Sequence, residues 1–153
     1  MATVSEDWLE FIRLLNAKGV EYVVVGGHAV AVHGRSRLTQ DIDFFCRRTE
    51  ENAQRLLAVL DEFGFASLGL TAADFMSNFG VQLGYSPNRI DIVMEIEGVA
   101  FEEAQAQRES AQIGGEPVWV ISKELLIKNK RALGRPRDLA DVNDLTRPDS
   151  GTS

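Results

Sequence analysis

Two aspartates, Asp41 and Asp43, flank Ile42 in a short run that ends in Phe44 and Phe45. Strand side chains two apart share a face, so the two carboxylates are presented together. Unpaired, they repel, and one of them holds on to its proton. A hard divalent cation resolves the conflict, because Mg²⁺ takes a carboxylate or two together with phosphate oxygens. Upstream, Val23, Val24 and Val25 run into Gly26-Gly27, and 13 residues separate Gly27 from Asp41. A diglycine turn leading into a helix lets backbone N–H groups approach an anion closely. The two segments together predict a site for a metal-bound polyphosphate.

A third acid lies in the segment Arg89 to Glu95, where Ile90, Ile92 and Met94 alternate with Asp91, Val93 and Glu95. Taken alone, Asp91 is a solvated residue on an edge strand. Beside an Asp-x-Asp pair on another strand it becomes a candidate for the same site, since an acid amid strand formers is unfavourable without a partner. His28 and His33, five apart, do not share a helix face and lack the spacing of a helical zinc site. Both are expected to be packed or solvated. Cys46 reads as a buried thiol, and the Phe and Trp positions mostly as core. Tyr85 is the one aromatic held open for base stacking.

The elements that must position these residues follow from periodicity and caps. Thr3 and Glu6 have capping-box spacing, and Trp8, Phe11, Ile12 and Leu15 follow at helical intervals up to Gly19. Strands are expected over Glu21 to Val25 and Gln40 to Phe45, with a short helix from Ala29 to His33 between them. Glu50 to Phe63 is an amphipathic helix closed by Gly64, and Thr71 caps a short helix to Met76. Phe79 to Tyr85 and Ile90 to Met94 alternate around a Ser86-Pro87-Asn88 turn, a hairpin signature. A helix from Ala100 to Gln107 precedes two short strands around Gly114-Gly115. Ser122 caps a helix to Leu133, and Pro136 restarts the chain into a helix from Asp138 to Leu145. The expected architecture is one α/β domain over residues 1–146, a mixed β-sheet flanked by helices, with a disordered tail from 147 to 153.

A chain of 153 residues suffices for a substantial core. No apolar run reaches the roughly 18 residues that span a bilayer. The acidic N-terminus and the single cysteine predict a reduced, cytoplasmic protein with no membrane association. A formal charge of −7 argues against nonspecific wrapping of nucleic acid. Even so, Lys123, Lys128, Lys130, Arg131, Arg135 and Arg137 face one acid, Glu124, in the stretch from 123 to 137. Such a patch suits a triphosphate or a short piece of RNA, or is a solvated helix face.

Gly26-Gly27, the gap, Asp41-Ile42-Asp43 and the later Asp91 resemble the nucleotidyltransferase superfamily of polymerase-beta-like fold. More narrowly, GGHAVAVHGRSRLTQDID and LLIKNKRALGRPRDLADVNDL resemble the small bacterial DUF6036 and AbiEii-like branch. The resemblance implies a minimal nucleotidyltransferase fold in which Asp41, Asp43 and Asp91 hold Mg²⁺ or Mn²⁺ and carry catalysis. Gly26 and Gly27 would bind the nucleotide phosphates through their amides. Gly27 stands where many relatives have Ser, so one hydroxyl contact is lost. Arg37, Thr39, Lys130 and Asp138 complete the implied nucleotide site, with Lys128 an alternative to Lys130. Asp138 near a helix N-terminus is equally explained by the helix dipole, and Asp141 by an ion pair with Arg135 or Arg137.

The function expected from these features is transfer of a nucleoside monophosphate from an NTP to a hydroxyl acceptor. The acceptor would be an RNA end such as that of tRNA, a protein side chain or a small molecule. Relatives in toxin–antitoxin pairs imply that such a role is open to this chain. The alternative is a non-catalytic nucleotide- or partner-binding module, antitoxin-like, that retains the fold. So short a chain leaves little room for an acceptor-binding domain, which points to a partner protein or a homodimer. A Rossmann-type site is set aside, since Gly26 to Ala31 lacks the Gly-x-Gly-x-x-Gly pattern.

Overall fold

Tyr22, Val23, Val24 and Val25 are all buried, because the strand they form, β1 (Tyr22–Val25), lies inside a six-stranded sheet. The computed structural model describes residues 5–34, 39–65, 68–77, 80–85 and 87–147. The other strands are β2 (Asp41–Cys46), β3 (Val81–Leu83), β4 (Arg89–Val93), β5 (Glu109–Ile113) and β6 (Glu116–Val120), in the spatial order β3-β4-β2-β1-β6-β5. β1 runs antiparallel to β2 and parallel to β6, while β2 and β4 are parallel. β3–β4 and β5–β6 are antiparallel hairpins. The sheet is mixed, as expected.

Among the described residues seven helices flank it: α1 (Glu6–Ala17), α2 (Gly26–Val32), α3 (Glu50–Phe63), α4 (Ala72–Met76), α5 (Phe101–Ala106), α6 (Lys123–Leu133) and α7 (Pro136–Thr146). Ser5 caps α1, its hydroxyl accepting from Asp7 N. Thr3 of the expected capping box lies outside the described residues. Gly64 ends α3 and Gly134 ends α6 in the left-handed conformation that favours glycine. α2 begins three residues earlier than the sequence predicts, at the diglycine itself, because extended Val25 serves as its N-cap. Pro136 occupies the first turn of α7, where its missing N–H costs nothing. No helix among the described residues is long and apolar enough to cross a membrane. Arg147 caps α7 and pairs with Asp144; the rest of the expected tail, 148–153, lies outside the described residues.

Alternation along β2 divides the molecule. Ile42 and Phe44 point to one face, where Phe11 of α1 packs on Phe44 with ring centres 5.5 Å apart and on Phe63 of α3 at 5.2 Å. Asp41, Asp43 and Phe45 point to the other face, where Phe101 of α5 meets Phe45 at 5.2 Å. One face is thus sealed by apolar helices. The second carries acids, and must leave them a cleft.

Trp119 departs from the core expectation: it is 38% exposed and lies under the Arg108 guanidinium, 4.0 Å from the ring centre. Cys46 is buried, as expected, and burial pushes its thiol pKa well up.

A polar clamp ties α3 to the sheet. Asn52 is fully buried; its side chain accepts from Glu21 N at 2.8 Å and donates to Glu21 O at 3.1 Å and Arg47 O at 2.9 Å. It therefore joins the entry of β1 to the exit of β2. Truncating it leaves buried backbone groups unpaired, each costing about 1–3 kcal/mol. Asn52→Ala is expected to lower stability by about 2–4 kcal/mol in urea unfolding; a loss below about 1 kcal/mol would show that the clamp is dispensable.

Candidate active site

The register between parallel β2 and β4 sets the site. Asp43 lies beside Asp91, and one step earlier on the same face Asp41 lies beside Arg89. Four charged side chains therefore form two adjacent rows on the open face of the sheet. Asp91 is 8% exposed, far from the solvated edge position that its sequence alone allows. Its strand is covered on one side by β2 and on the other by β3. The structure thus brings together all three aspartates predicted from the sequence.

Burial pushes the Asp43 pKa up to about 7, helped by its hydrogen bond with Asp91 and by the charges of Asp91 and Asp41; Arg89 works in the opposite direction. Arg89, not singled out in the sequence, bridges the rows. Its Nη2 donates to Asp41 Oδ2 at 2.9 Å, and its Nε donates to Asp91 Oδ2 at 3.3 Å while lying 3.1 Å from Asp91 Oδ1. Arg89 and Asp91 are two apart on one strand, so the Arg-x-Asp spacing was the available signal.

Gly26 closes the site from β1. Val25 is in register with Asp43, and Gly26 turns away with φ +73°, bringing its backbone against the Asp43 carboxylate. A Cβ there would collide with Asp43 Oδ2 and lie 3.2 Å from Cγ. Glycine is needed both for the backbone angle and for the close approach. Gly27 follows in the first turn of α2, where no side chain caps the helix. Thr39 is half-buried just before β2, and Arg37 lies outside the described residues.

α6 and α7 supply the opposite wall. Lys130 is 6% exposed and lines a cavity of about 280 Å³ with Gly26, Asp43, Val93, Glu95 and Arg135. Its Nζ is 2.9 Å from Asp141 Oδ2 and 3.7 Å from Asp138 Oδ1. Asp141 therefore pairs with Lys130 rather than with Arg135 or Arg137, because the helical turn points it inward. Asp138 is completely buried. Hydrogen bonds from Arg135, including Nη2 to Oδ1 at 3.1 Å, hold its carboxyl below the ordinary range. This bonding goes beyond the helix-dipole account. Lys128 turns elsewhere, to Glu103 at 3.0 Å. Three cations of the expected basic patch, Lys128, Lys130 and Arg135, are thus ion-paired within the protein.

The remaining candidates are structural or peripheral. His28 packs edge-on against Trp8 at 4.9 Å, and burial lowers its pKa. A nitrogen of His33 sits 2.8 Å from Ile121 O. Tyr85 is 88% exposed on the β3–β4 connection.

As placed, no group of three or more His, Cys, Asp or Glu side chains among the described residues is arranged to hold a metal ion. The donor chemistry nevertheless fits a hard cation. Three carboxylates share one face, two of them hydrogen-bonded to each other, and Asp91 Oδ1 is buried without a hydrogen bond. Arg89 supplies part of the neutralising charge that Mg²⁺ would supply, and burial and crowding favour a proton on Asp43.

The mixed sheet with helices on both faces and this acidic cleft defines the nucleotidyltransferase fold. It is shared with a lincomycin-bound lincosamide antibiotic adenylyltransferase, LnuA (TM-score 0.55, 15% identity, 94% of this chain and 98% of that one). A candidate nucleotidyltransferase from Thermotoga maritima aligns at TM-score 0.59 and 15% identity over 93% of this chain and 94% of its own. ANT(2")-Ia, solved with adenylyl-2"-tobramycin, aligns at 0.58 and 18% over 93% and 88%. The family model described as "Nucleotidyl transferase of unknown function (DUF2204)" matches residues 4–149, and the chain belongs to that family. The superfamily resemblance is borne out; the narrower DUF6036 and AbiEii-like branch is not the family whose model matches. No curated protein matches the chain in sequence.

The raised Asp43 pKa has a thermodynamic consequence. Between the unfolded value near 4 and the folded value of about 7, the native state binds the extra proton. Stability from this group is therefore complete below about pH 4 and is lost as pH rises through 7. Asp43→Asn, which mimics the protonated form, is expected to stabilise the metal-free protein at pH 8 by about 1 kcal/mol or more. The gain should vanish at pH 4; equal effects at both pH values, read from melting curves, would contradict the burial argument. Gly26→Ala is expected to destabilise the protein by about 1–3 kcal/mol in urea unfolding, through the strained backbone angle and the displaced Asp43.

Proposed function

We propose that this protein transfers a nucleoside monophosphate from an NTP to a hydroxyl of an acceptor, releasing pyrophosphate. The observation that carries the reading is the in-register pair Asp43 and Asp91, with Asp41 on the same face and the Gly26 backbone against Asp43. The family supports it at the level of nucleotidyl transfer.

In this reading Asp41, Asp43 and Asp91 hold Mg²⁺ or Mn²⁺, which supplies positive charge to the triphosphate and to the oxygens that attack and leave in an in-line displacement. Asp91 receives the proton of the acceptor hydroxyl, whose oxygen forms a bond to the α-phosphorus as the bond to pyrophosphate breaks. Gly26 and Gly27 direct backbone amides at the phosphates, Thr39 lies just before β2, and Arg37 is included on the sequence resemblance alone. Lys130 lies across the cavity from Asp43. Asp138 and Asp141 fix it there as positioning residues, so it acts as a held charge rather than a mobile one.

The acceptor best suited to this cleft is a small molecule rather than RNA. Asp43, Glu95 and Glu97 line the cavity, and its cations Lys130 and Arg135 already pair with Asp138 or Asp141. The chain as a whole carries −7. An RNA acceptor, a second polyanion beside the metal-bound triphosphate, is repelled by such a surface, whereas a neutral or amine-bearing hydroxyl compound is not. The names of two structural neighbours, bound to lincomycin or to adenylyl-tobramycin, are consistent with acceptors of this size. A toxin–antitoxin role rests on the original resemblance alone.

Incubating the protein with each α-labelled NTP, Mg²⁺ or Mn²⁺, and fractionated lysate tests the proposal. Label is expected in a small-molecule fraction, with at least about a hundred-fold loss in Asp43→Ala. Label in RNA or protein would sink the acceptor assignment. If label moves nowhere, yet Mg²⁺ and NTP raise the melting temperature of wild type and not of Asp43→Ala, the chain is a nucleotide-binding module instead.

A further inference from the structure

The carboxylate site already contains a cation, and it belongs to the protein. We propose that Arg89 is a built-in counter-ion of Asp41 and Asp91, a positioning residue that competes with metal ions and must release at least one of these carboxylates when an ion enters. The inference rests on the reading of Asp41, Asp43 and Asp91 as metal-holding residues.

Three observations carry it. First, the guanidinium does not grip one carboxylate with a two-pronged fork, as a structural pair usually does. It spans two, with Nη2 on Asp41 and Nε on Asp91. These are the rows between which a shared cation has to sit. Second, the nearby cation on the opposite wall is engaged elsewhere, since Lys130 is ion-paired with Asp141 at 2.9 Å. Among the described residues, Arg89 lies against Asp41 and Asp91 and its charge also reaches Asp43. Third, the Arg89 side chain is 32% exposed while Asp91 is 11% exposed. The guanidinium therefore has a solvent side to move toward, and its release requires no opening of the core.

The physical logic is that of competition for the same oxygens. Without a metal, Arg89 prevents the crowded acids from splaying β2 and β4 apart. With a metal, the oxygens it holds are the ones an ion would take, so each ion bound costs an arginine contact. Apparent metal affinity is reduced by the fraction of molecules in which the bridge is closed. The wild-type protein accordingly favours metal delivered with a triphosphate, whose own oxygens supply part of the coordination.

The test is Mn²⁺ binding without nucleotide, followed by loss of the free-ion electron paramagnetic resonance signal at pH 8. Wild type, Arg89→Gln and Asp43→Asn are compared. Arg89→Gln is expected to bind Mn²⁺ about ten-fold more tightly than wild type, the scale of a lost two-contact ion pair. Asp43→Asn is expected to bind more weakly. If Asp43→Asn loses binding but Arg89→Gln gains none, the counter-ion proposal fails and the metal site stands. If neither wild type nor Arg89→Gln takes up Mn²⁺, the metal reading fails and this inference goes with it. A second readout needs no mutant to bind anything. In ¹⁵N-arginine spectra of wild type, the Arg89 Nε–H signal, assigned by its absence from Arg89→Lys, should shift and exchange faster as Mg²⁺ is added. An unchanged signal at saturating Mg²⁺ would overturn the proposal.

Discussion

Like charges packed on one sheet face have to be neutralised, and the rest of this molecule is arranged around that constraint. Parallel pairing of β2 with β4 puts Asp43 beside Asp91, and the pleat adds Asp41 to the same face. In water such crowding costs little, but here Asp91 is nearly buried, and the unfavourable charge must be met locally. The Arg89 bridge meets it in part, and burial and crowding raise the Asp43 pKa to about 7. Such a row of carboxylates on one sheet face is the feature on which the proposed nucleotidyl transfer rests.

The neighbouring elements follow from the need to leave that face accessible. α1 and α3 seal the other face with Phe11, Phe44 and Phe63, so the cleft side does not have to supply the main apolar core. Gly26 brings its backbone against Asp43 with no Cβ between. α6 and α7 then face the cleft with a buried, ion-paired cluster, Lys130 with Asp138 and Asp141. Buried ion pairs of this kind contribute little net stability against a well-packed apolar alternative. Their presence on the cleft wall is more readily explained by a requirement for fixed charge there.

Much of this was legible before any coordinates. The helices with caps and glycine stops, Glu50–Phe63 and Lys123–Leu133, fall where the periodicity puts them, because local capping chemistry decides those boundaries. The Asp-x-Asp spacing and the diglycine carried the superfamily resemblance. Other features were not legible. Arg89 looked like an ordinary strand residue, and its role depends on cross-strand register. The ion pair offered as the plain alternative for Asp141, with Arg135 or Arg137, is instead made with Lys130 of the preceding helix, a partner that sequence proximity does not suggest. Trp119 read as core, yet it lies exposed under Arg108.

By itself the sequence determined what is local: which segments are helix or strand, which residue types are chemically capable, and that two acids must share a face. Only the tertiary structure decided which acids meet across strands, which cations already have partners, and which acids line the cleft. The physical reason is range. Periodicity, capping and backbone permissiveness act over a few residues along the chain, whereas pairing between β2 and β4, or between α6 and α7, is chosen by the packing of the whole domain.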